Sequence, residues 1–427
     1  MKQQKLLPNM LKNMKTTTKY YFYLLGYAIF FLCFCLFVFQ LDIQNFHFPD
    51  SYSYLLACQE LFWEGKFNDH RPILFSLLNG LPLLFTTKSD LIYSWSIVLN
   101  LLAWLGTIHL LFYILKSYLP IKIAFYASLF FVFCIGNVFI NFHLLTESIY
   151  TFLLILLISQ LIAFEKTKKI PNLIYVFSLL LLGCLIKPIT LGLLYLALLF
   201  YFSYLPKLLQ GCKSFVLYFS LLLFLAQLIG MKITHGNFTL SYIDGATYYN
   251  YLGTKADGYR IGETFEQGKN TRVLKNKSLS LMQMRQLAKK DFEEQIKNNK
   301  TNLFNAYLSN LYTNCTKGST SVHGCKNVAA TPYFDFFQFL FKGISKVENI
   351  ILSTVGLIAS CFVLLFFKQI NRAMVFTACC IGYIIGVSAI GTDQGDRHHI
   401  IVFPLIIILG TLLLTKKQSN LYTPCNS

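Results

Sequence analysis

The chain has 427 residues, of which 55% are hydrophobic and only 13% charged. Soluble domains carry about 25% charged residues, so this deficit excludes a water-soluble globular fold. The formal charge of +18, from 37 Lys and Arg against 19 Asp and Glu, would suit a nucleic acid. In a chain of long uncharged runs the basic residues belong to cytoplasmic loops, and no nucleic-acid partner is expected.

Apolar runs of 18 or more residues read as membrane helices. Lys2, Lys5, Lys12, Lys15 and Lys19 precede the first run, about 20–40. They hold the N-terminus in the cytoplasm, and with no small-residue cleavage site the run reads as a retained signal anchor. The segment 41–90 then lies outside. It is acidic, with Asp42, Asp50, Glu60, Glu64, Asp69 and Asp90 against Lys66, Arg71 and Lys88. Two juxtamembrane pieces are expected in it. One is a helix from Asp50, with Tyr54, Leu55, Cys58, Leu61 and Phe62 on its apolar side and Gly65 as its stop. The other is the run Pro72–Phe85, too short to span.

Further spans are expected at about 91–115, 122–141 and 145–164. The stretch Ile170–Tyr204 is too long for one crossing, and Lys187-Pro188 should break it into two helices joined by a tight outer turn. A span at about 214–231 follows. The one long hydrophilic region, 232–346, falls outside by parity, with helical periodicity in Ser278–Lys300 through Met282, Met284, Leu287 and Phe292. Spans at about 347–367, 373–391 and 398–415 close the chain. The expected fold is therefore an all-α polytopic membrane protein of about ten transmembrane helices. It divides into a core, 1–231, an extracytoplasmic loop domain, 232–346, and C-terminal helices, 347–427. Every short loop that parity places inside is basic: Lys116 and Lys122; Lys166, Lys168 and Lys169; Lys207 and Lys213; Lys368 and Arg372; Lys416 and Lys417. Both termini are cytoplasmic in this reading, in a plasma or inner membrane. No internal repeat is evident.

The 12 cysteines lie mostly within apolar runs, as Cys33, Cys184 and Cys380 do, and act as small hydrophobes. Cys315 and Cys325 bracket a polar stretch and suit a local disulfide if it lies outside the cytoplasm. Asn237, Asn276, Asn299 and Asn314 head glycosylation triplets, which an Asn- and Thr-rich loop also yields by chance. No phosphate-cradling Walker loop, dinucleotide fingerprint or metalloprotease motif is present.

Ionisable residues near the outer ends of the spans are few: Asp50, Asp69, His70, Arg71, His143, Glu147, Lys187, Asp393, Asp396, Arg397, His398 and His399. Charge at such depth is expensive and often functional. Asp50 reads either as a helix N-cap or as a general base on an acceptor hydroxyl. Glu147 reads as an acid favoured at a helix N-terminus or as an acid–base, metal or acceptor contact, a role also open to His143 and Asp69. Lys187 is a snorkelling turn lysine or a cation for a lipid phosphate. Arg397 and His398 suit an anionic phosphate, or anchor the chain at the interface. A zinc site at His398 and His399 lacks the usual ligand spacing.

The arrangement resembles the GT-C superfamily of polytopic glycosyltransferases, which includes protein O-mannosyltransferases and lipid A aminoarabinose transferases. Four segments carry the resemblance in order: PDSYSYLLACQELFWEGKFNDHRPILFSLLNGLPLLF, LLTESIYTFLLILL, the basic turn Lys187-Pro188, and GDRHHIIVFPLIIIL. The resemblance implies a sugar donor on a polyprenyl phosphate, a lipid, glycan or protein acceptor, and inversion at the anomeric carbon on the extracytoplasmic side. Asp50 would be the acidic residue acting on the acceptor, while Arg71, Lys187 and Arg397 would hold the phosphate. A divalent metal ion is left open as a cofactor. Two departures stand out: Ser51 follows Asp50 where many relatives have a second acid, and His398 stands where relatives often have Tyr. A transporter or flippase of lipid-linked sugars, a non-catalytic assembly protein and an oligosaccharide polymerase are the alternatives. A transporter would place polar residues at the bilayer midplane.

Overall fold

A computed structural model describes residues 6–41, 48–209, 211, 213–266, 269–391 and 394–414, with side chains from residue 16 onward. Asp42, Asp393, Lys416, Lys417 and the N-terminal Lys2 and Lys5 lie outside the described residues, and Lys12 and Lys15 outside the described side chains. The described chain is helical throughout and contains no strand.

The first helix, α1 (Leu6–Phe39), is followed by the two expected juxtamembrane pieces. α2 (Pro49–Gln59) begins with a proline at its first position, where the missing N–H costs nothing. A π-turn, Glu60–Glu64, extends it to Gly65, whose φ of 65° ends the helix in the left-handed region. α3 (Ile73–Asn79) and a 3₁₀ turn at Leu81–Leu84 form the second piece.

Next come α4 (Asp90–Lys116), α5 (Ile121–Val132), the short α6 (Ile135–Phe139) and α7 (Glu147–Thr167). The expected span 122–141 is broken: Ile121–Val132 and Ile135–Phe142 meet at 59°. α8 (Ile170–Cys184) and α9 (Thr190–Tyr201) flank the Lys187-Pro188 turn. That turn is closed by the Lys187 N–H donating to the Gly183 carbonyl at 2.8 Å. The short α10 (Leu205–Leu208) leads to α11 (Ser214–His235).

Between α11 and the last spans lie α12 (Ile243–Thr247), α13 (Thr254–Ile261), α14 (Thr271–Lys275), α15 (Leu281–Asn298), α16 (Lys300–Thr316) and α17 (Thr320–Gly324). α15 starts at a reciprocal Ser280–Gln283 capping box. It buries Met284 and Ala288, while Met282 and Phe292 face outward rather than joining the apolar face. The chain closes with α18 (Phe334–Leu365), α19 (Arg372–Ser388) and α20 (Phe403–Leu414).

Six helices are long and apolar enough to cross a membrane, or seven with the broken pair counted; α8, α19 and α20 are shorter apolar helices. α4 and α7, α7 and α8, α8 and α11, and α18 with α19 and α20 pack side by side around one continuous apolar core. Large apolar side chains such as Phe22, Phe30 and Phe37 on α1 and Phe215, Leu222 and Ile233 on α11 point outward. In water that surface would aggregate, whereas hydrocarbon accepts it. Six apolar helices with such outward faces mark an integral membrane protein.

Two expectations about the long hydrophilic region change. Cys315 and Cys325 are both free thiols; the Cys325 Sγ bonds the Ser321 carbonyl at 3.2 Å, facing its own helix instead of a partner. The amides of Asn299 and Asn314 are buried and donate to the carbonyls of Ala256 and Ser388. A glycan cannot be attached to either without breaking those bonds.

Candidate active site

Five ionisable residues named from the sequence meet at one end of the helix bundle, each delivered by a helix end. Asp50 sits in the first turn of α2, but Phe48 is the N-cap and no side chain caps the helix. The cap expected of Asp50 is therefore not made, and its carboxylate turns to two guanidiniums instead. Arg397 Nη1 lies 2.6 Å from Asp50 Oδ2 and Arg71 Nη2 lies 3.2 Å from Oδ1. Burial alone would raise the Asp50 carboxyl; the fields of Arg397 and Arg71 outweigh it and hold the group well below the usual carboxylate range.

Arg71 is aimed by its loop. Asn68 Oδ1 accepts the backbone N–H groups of His70 and Arg71 at 2.9 and 2.7 Å, a turn that asparagine makes readily. Pro72 follows as the extended N-cap of α3. The guanidinium then stacks 4.0 Å from the Tyr54 ring centroid and donates to Ser53 Oγ. Its neighbour His70 stays neutral at pH 7, since burial and the adjacent Arg71 push it down to about 4.

Glu147 is fully buried in the first turn of α7. Its Oε1 accepts from Arg397 Nε at 2.9 Å and Lys187 Nζ at 3.0 Å, while Oε2 has no hydrogen-bond partner among the described residues. One guanidinium thus joins two carboxylates, from Asp50 through Arg397 to Glu147. Arg397 rides on a 3₁₀ turn, Gly395–His398, under the Phe48 ring and bonded to Gln394 Oε1 at 2.9 Å. Burial works against its charge, but Glu147 and Asp50 hold its pKa above the ordinary arginine value. Counting Arg71, Lys187 and Arg397 against Asp50 and Glu147, the cluster carries one net positive charge. That suits an anion.

His398 and Lys187 help line a mostly apolar cavity of about 930 Å³, whose walls include Tyr195, Leu228, Ile384 and Ile401 as well as Asp244 and Arg285. Burial, then Lys187 and Arg397, push His398 to about 3. It therefore meets a ligand as a neutral imidazole, not as a cation. His399 is buried between the hydroxyls of Ser353 and Ser388, at 2.8 and 3.0 Å, and faces away from the cluster's charges. His143 packs edge-on to Phe48 with ring centroids 4.8 Å apart. Asp69 is tied in through its backbone, its carbonyl accepting the Tyr242 N–H at 2.9 Å.

Sequence reasoning missed the polar frame behind the cluster. Asn100 donates to the carbonyls of Asn141 and His143, Asn141 accepts from Ser148 at 2.7 Å, and Asn137 donates to the Ile400 carbonyl. These bonds fix the segment before α7 against the turn that carries Arg397. Isolated asparagines in apolar runs were the available signal, because a buried amide must find partners. Asp396, also fully enclosed, packs against Gly136, where any Cβ would collide with its carboxyl.

A guanidinium bridges the two carboxylates, and among the described residues no three His, Cys, Asp or Glu side chains gather.

The sequence matches no family model and no curated protein. Among solved structures, the ArnT of Cupriavidus metallidurans bound to undecaprenyl phosphate is similar at 12% identity and a TM-score of 0.43, over 92% of this chain and 60% of that one. The oligosaccharyltransferase of Archaeoglobus fulgidus in the apo form is similar at 10% identity and a TM-score of 0.43, over 91% of this chain and 50% of that one. This chain spans less than two thirds of either. At this level of superposition the likeness gives no residue a role, and the chemistry rests on the side chains themselves.

Proposed function

We propose that the chain is a membrane glycosyltransferase that moves a sugar from a polyprenyl-phosphate donor to an acceptor hydroxyl at the extracytoplasmic surface, with inversion. The observation that carries this reading is the net-positive cluster of Asp50, Arg71, Glu147, Lys187 and Arg397 beside a mostly apolar cavity lined in part by Lys187 and His398. An apolar chain with a phosphate at one end fits both parts. The six long helices, the broken pair and three shorter helices would make ten crossings. With the basic loops inside, the cluster faces outward and both termini face the cytoplasm. Region 232–346 we assign to acceptor recognition.

In the proposed reaction the acceptor oxygen bonds to the anomeric carbon as the bond from that carbon to the phosphate oxygen breaks. The polyprenyl phosphate leaves with the bonding electrons, and Arg397 and Lys187 stabilise the charge that develops on it. The acceptor proton goes to Asp50. While paired with two guanidiniums Asp50 is a weak base. A donor phosphate that draws Arg397 away would strengthen it, which couples donor binding to base activation. A flippase is disfavoured by the placement of the ion-paired cluster at one end of the spans rather than at their centres.

The test is transfer of label from a panel of polyprenyl-phosphate sugars to extracted envelope acceptors by reconstituted protein. Transfer that disappears in folded Asp50→Asn supports the reading. Movement of the lipid-linked sugar between leaflets without any transfer would replace it with a flippase.

A further inference from the structure

Another cavity borders the turn that carries Arg397, at Gly395. α18 has 32 residues, about 48 Å of helix, whereas about 20 residues cross the hydrocarbon. Its last 20 residues begin at Lys346. Lys342 and Lys346, one turn apart, therefore sit at headgroup depth. They rim a groove of about 1290 Å³ whose other side is formed by Lys317, Thr320 and His323 of the α16–α17 region and by Phe130 of α5. Ile344 lies between the two lysines, and Val347 and Ile351 continue the wall below them, all exposed. Among the described residues Glu348 is the acid on this wall, and its Oε2 accepts the Ile135 N–H at 3.0 Å. His323 is held neutral, by burial first and then by the fields of Lys342 and Lys317. The rim therefore carries the ammonium groups of Lys342 and Lys346 above an apolar face.

That combination excludes most ligands. A soluble anion would not need the apolar wall, and a neutral lipid would not need the lysines. We infer that the groove seats an anionic glycerophospholipid of the adjoining leaflet, its phosphate between Lys342 and Lys346 and its acyl chains along Val347 and Ile351. The wall opens sideways to the bilayer, where phospholipid is the most abundant phosphate-bearing molecule, so mass action favours it over a scarce carrier lipid. The site also touches Gly395, the first residue of the Arg397 turn, whose φ of 60° seats it against the Gly318 carbonyl. A lipid bound there braces that turn from outside. The inference does not depend on the transferase reading.

Native mass spectrometry of the purified full chain, exchanged with phosphatidylglycerol, phosphatidylcholine or undecaprenyl phosphate, tests it. Each lysine near a charged lipid surface contributes about fivefold in affinity. Phosphatidylglycerol should be retained roughly twenty-fivefold better than phosphatidylcholine, and the double variant Lys342→Gln/Lys346→Gln should lose that preference. Lys289→Gln/Lys290→Gln, which removes the same charge from α15, should keep it. The single exposed change Lys346→Glu repeats the test should the double variant fail to fold. Equal retention of phosphatidylcholine, or an unchanged preference in the Lys342 and Lys346 variants, would overturn the inference. So would displacement of phosphatidylglycerol by equimolar undecaprenyl phosphate, which would assign the groove to the carrier.

Discussion

Arg397 holds two carboxylates with one side chain, Asp50 through Nη1 and Glu147 through Nε. A lysine has a single nitrogen on a flexible stem and cannot make both contacts at once. Arg397→Lys should therefore keep the fold and lose transfer activity by about 10²-fold or more, the scale of losing one preorganised donor to the leaving group. Arg397→Ala should also destabilise, by about 3–5 kcal/mol, because it strips a partner from the fully buried Glu147. Activity assays and thermal unfolding in detergent separate the two. Equal activity in Arg397→Lys would show that one point charge suffices. Each of these residues was legible in the sequence as a rare charge at the end of an apolar run. Their pairing was not, since Glu147 and Arg397 are 250 positions apart and only the packed bundle brings them together. The N-cap alternative for Asp50 failed for a local reason: Pro49 starts the helix one residue earlier and leaves the carboxylate free to turn toward Arg397.

At the scale of elements, breaks with a strong chemical signal were readable and the one with a weaker signal was not. Gly65 and Lys187-Pro188 end helices by backbone conformation and by a missing N–H, and both stand where expected. The break between α5 and α6 sits just before Gly136-Asn137, in a run that otherwise reads as one apolar span. It is produced by packing: Gly136 lets the Asp396 carboxyl approach the backbone, and Ile135 N–H turns to Glu348. Gly136→Ala should cost about 1–3 kcal/mol by overpacking, read as a lowered unfolding midpoint. In an Asp396→Ala background, which removes the colliding carboxyl, the same change should cost much less. Additive effects in that double-mutant cycle would mean that the bend has another origin.

For the molecule as a whole, pH dependence follows from where burial has placed the titratable groups of the first outer loop and of the turn before α20, which starts at Phe403 and not at the expected 398. His70, His398 and His399 are pushed down to about 4, 3 and 4, against about 6.5 unfolded. A depressed folded pKa gives stability that is present above the unfolded value and lost as pH falls through the folded one, so these groups weaken the fold from about pH 6.5 downward. Asp50, held low by its arginines, adds to the loss at still lower pH. Asp396 acts in the opposite sense. Burial raises it to about 8, so its contribution is complete below about pH 3.9 and is lost as pH rises through 8. The buried carboxyl must then ionise without a cation to meet it. Unfolding midpoints between pH 4 and 9 should therefore peak near neutrality and fall on both sides. Asp396→Asn, which keeps the shape and cannot ionise, should steepen the acid limb, flatten the alkaline one and raise the midpoint at pH 9 by about 3 °C or more relative to the native chain. An alkaline limb identical in the two proteins would show that Asp396 already finds a partner for its charge. The turn bearing Arg397 would then be held by that ion pair, and not by a neutral acid packed against Gly136.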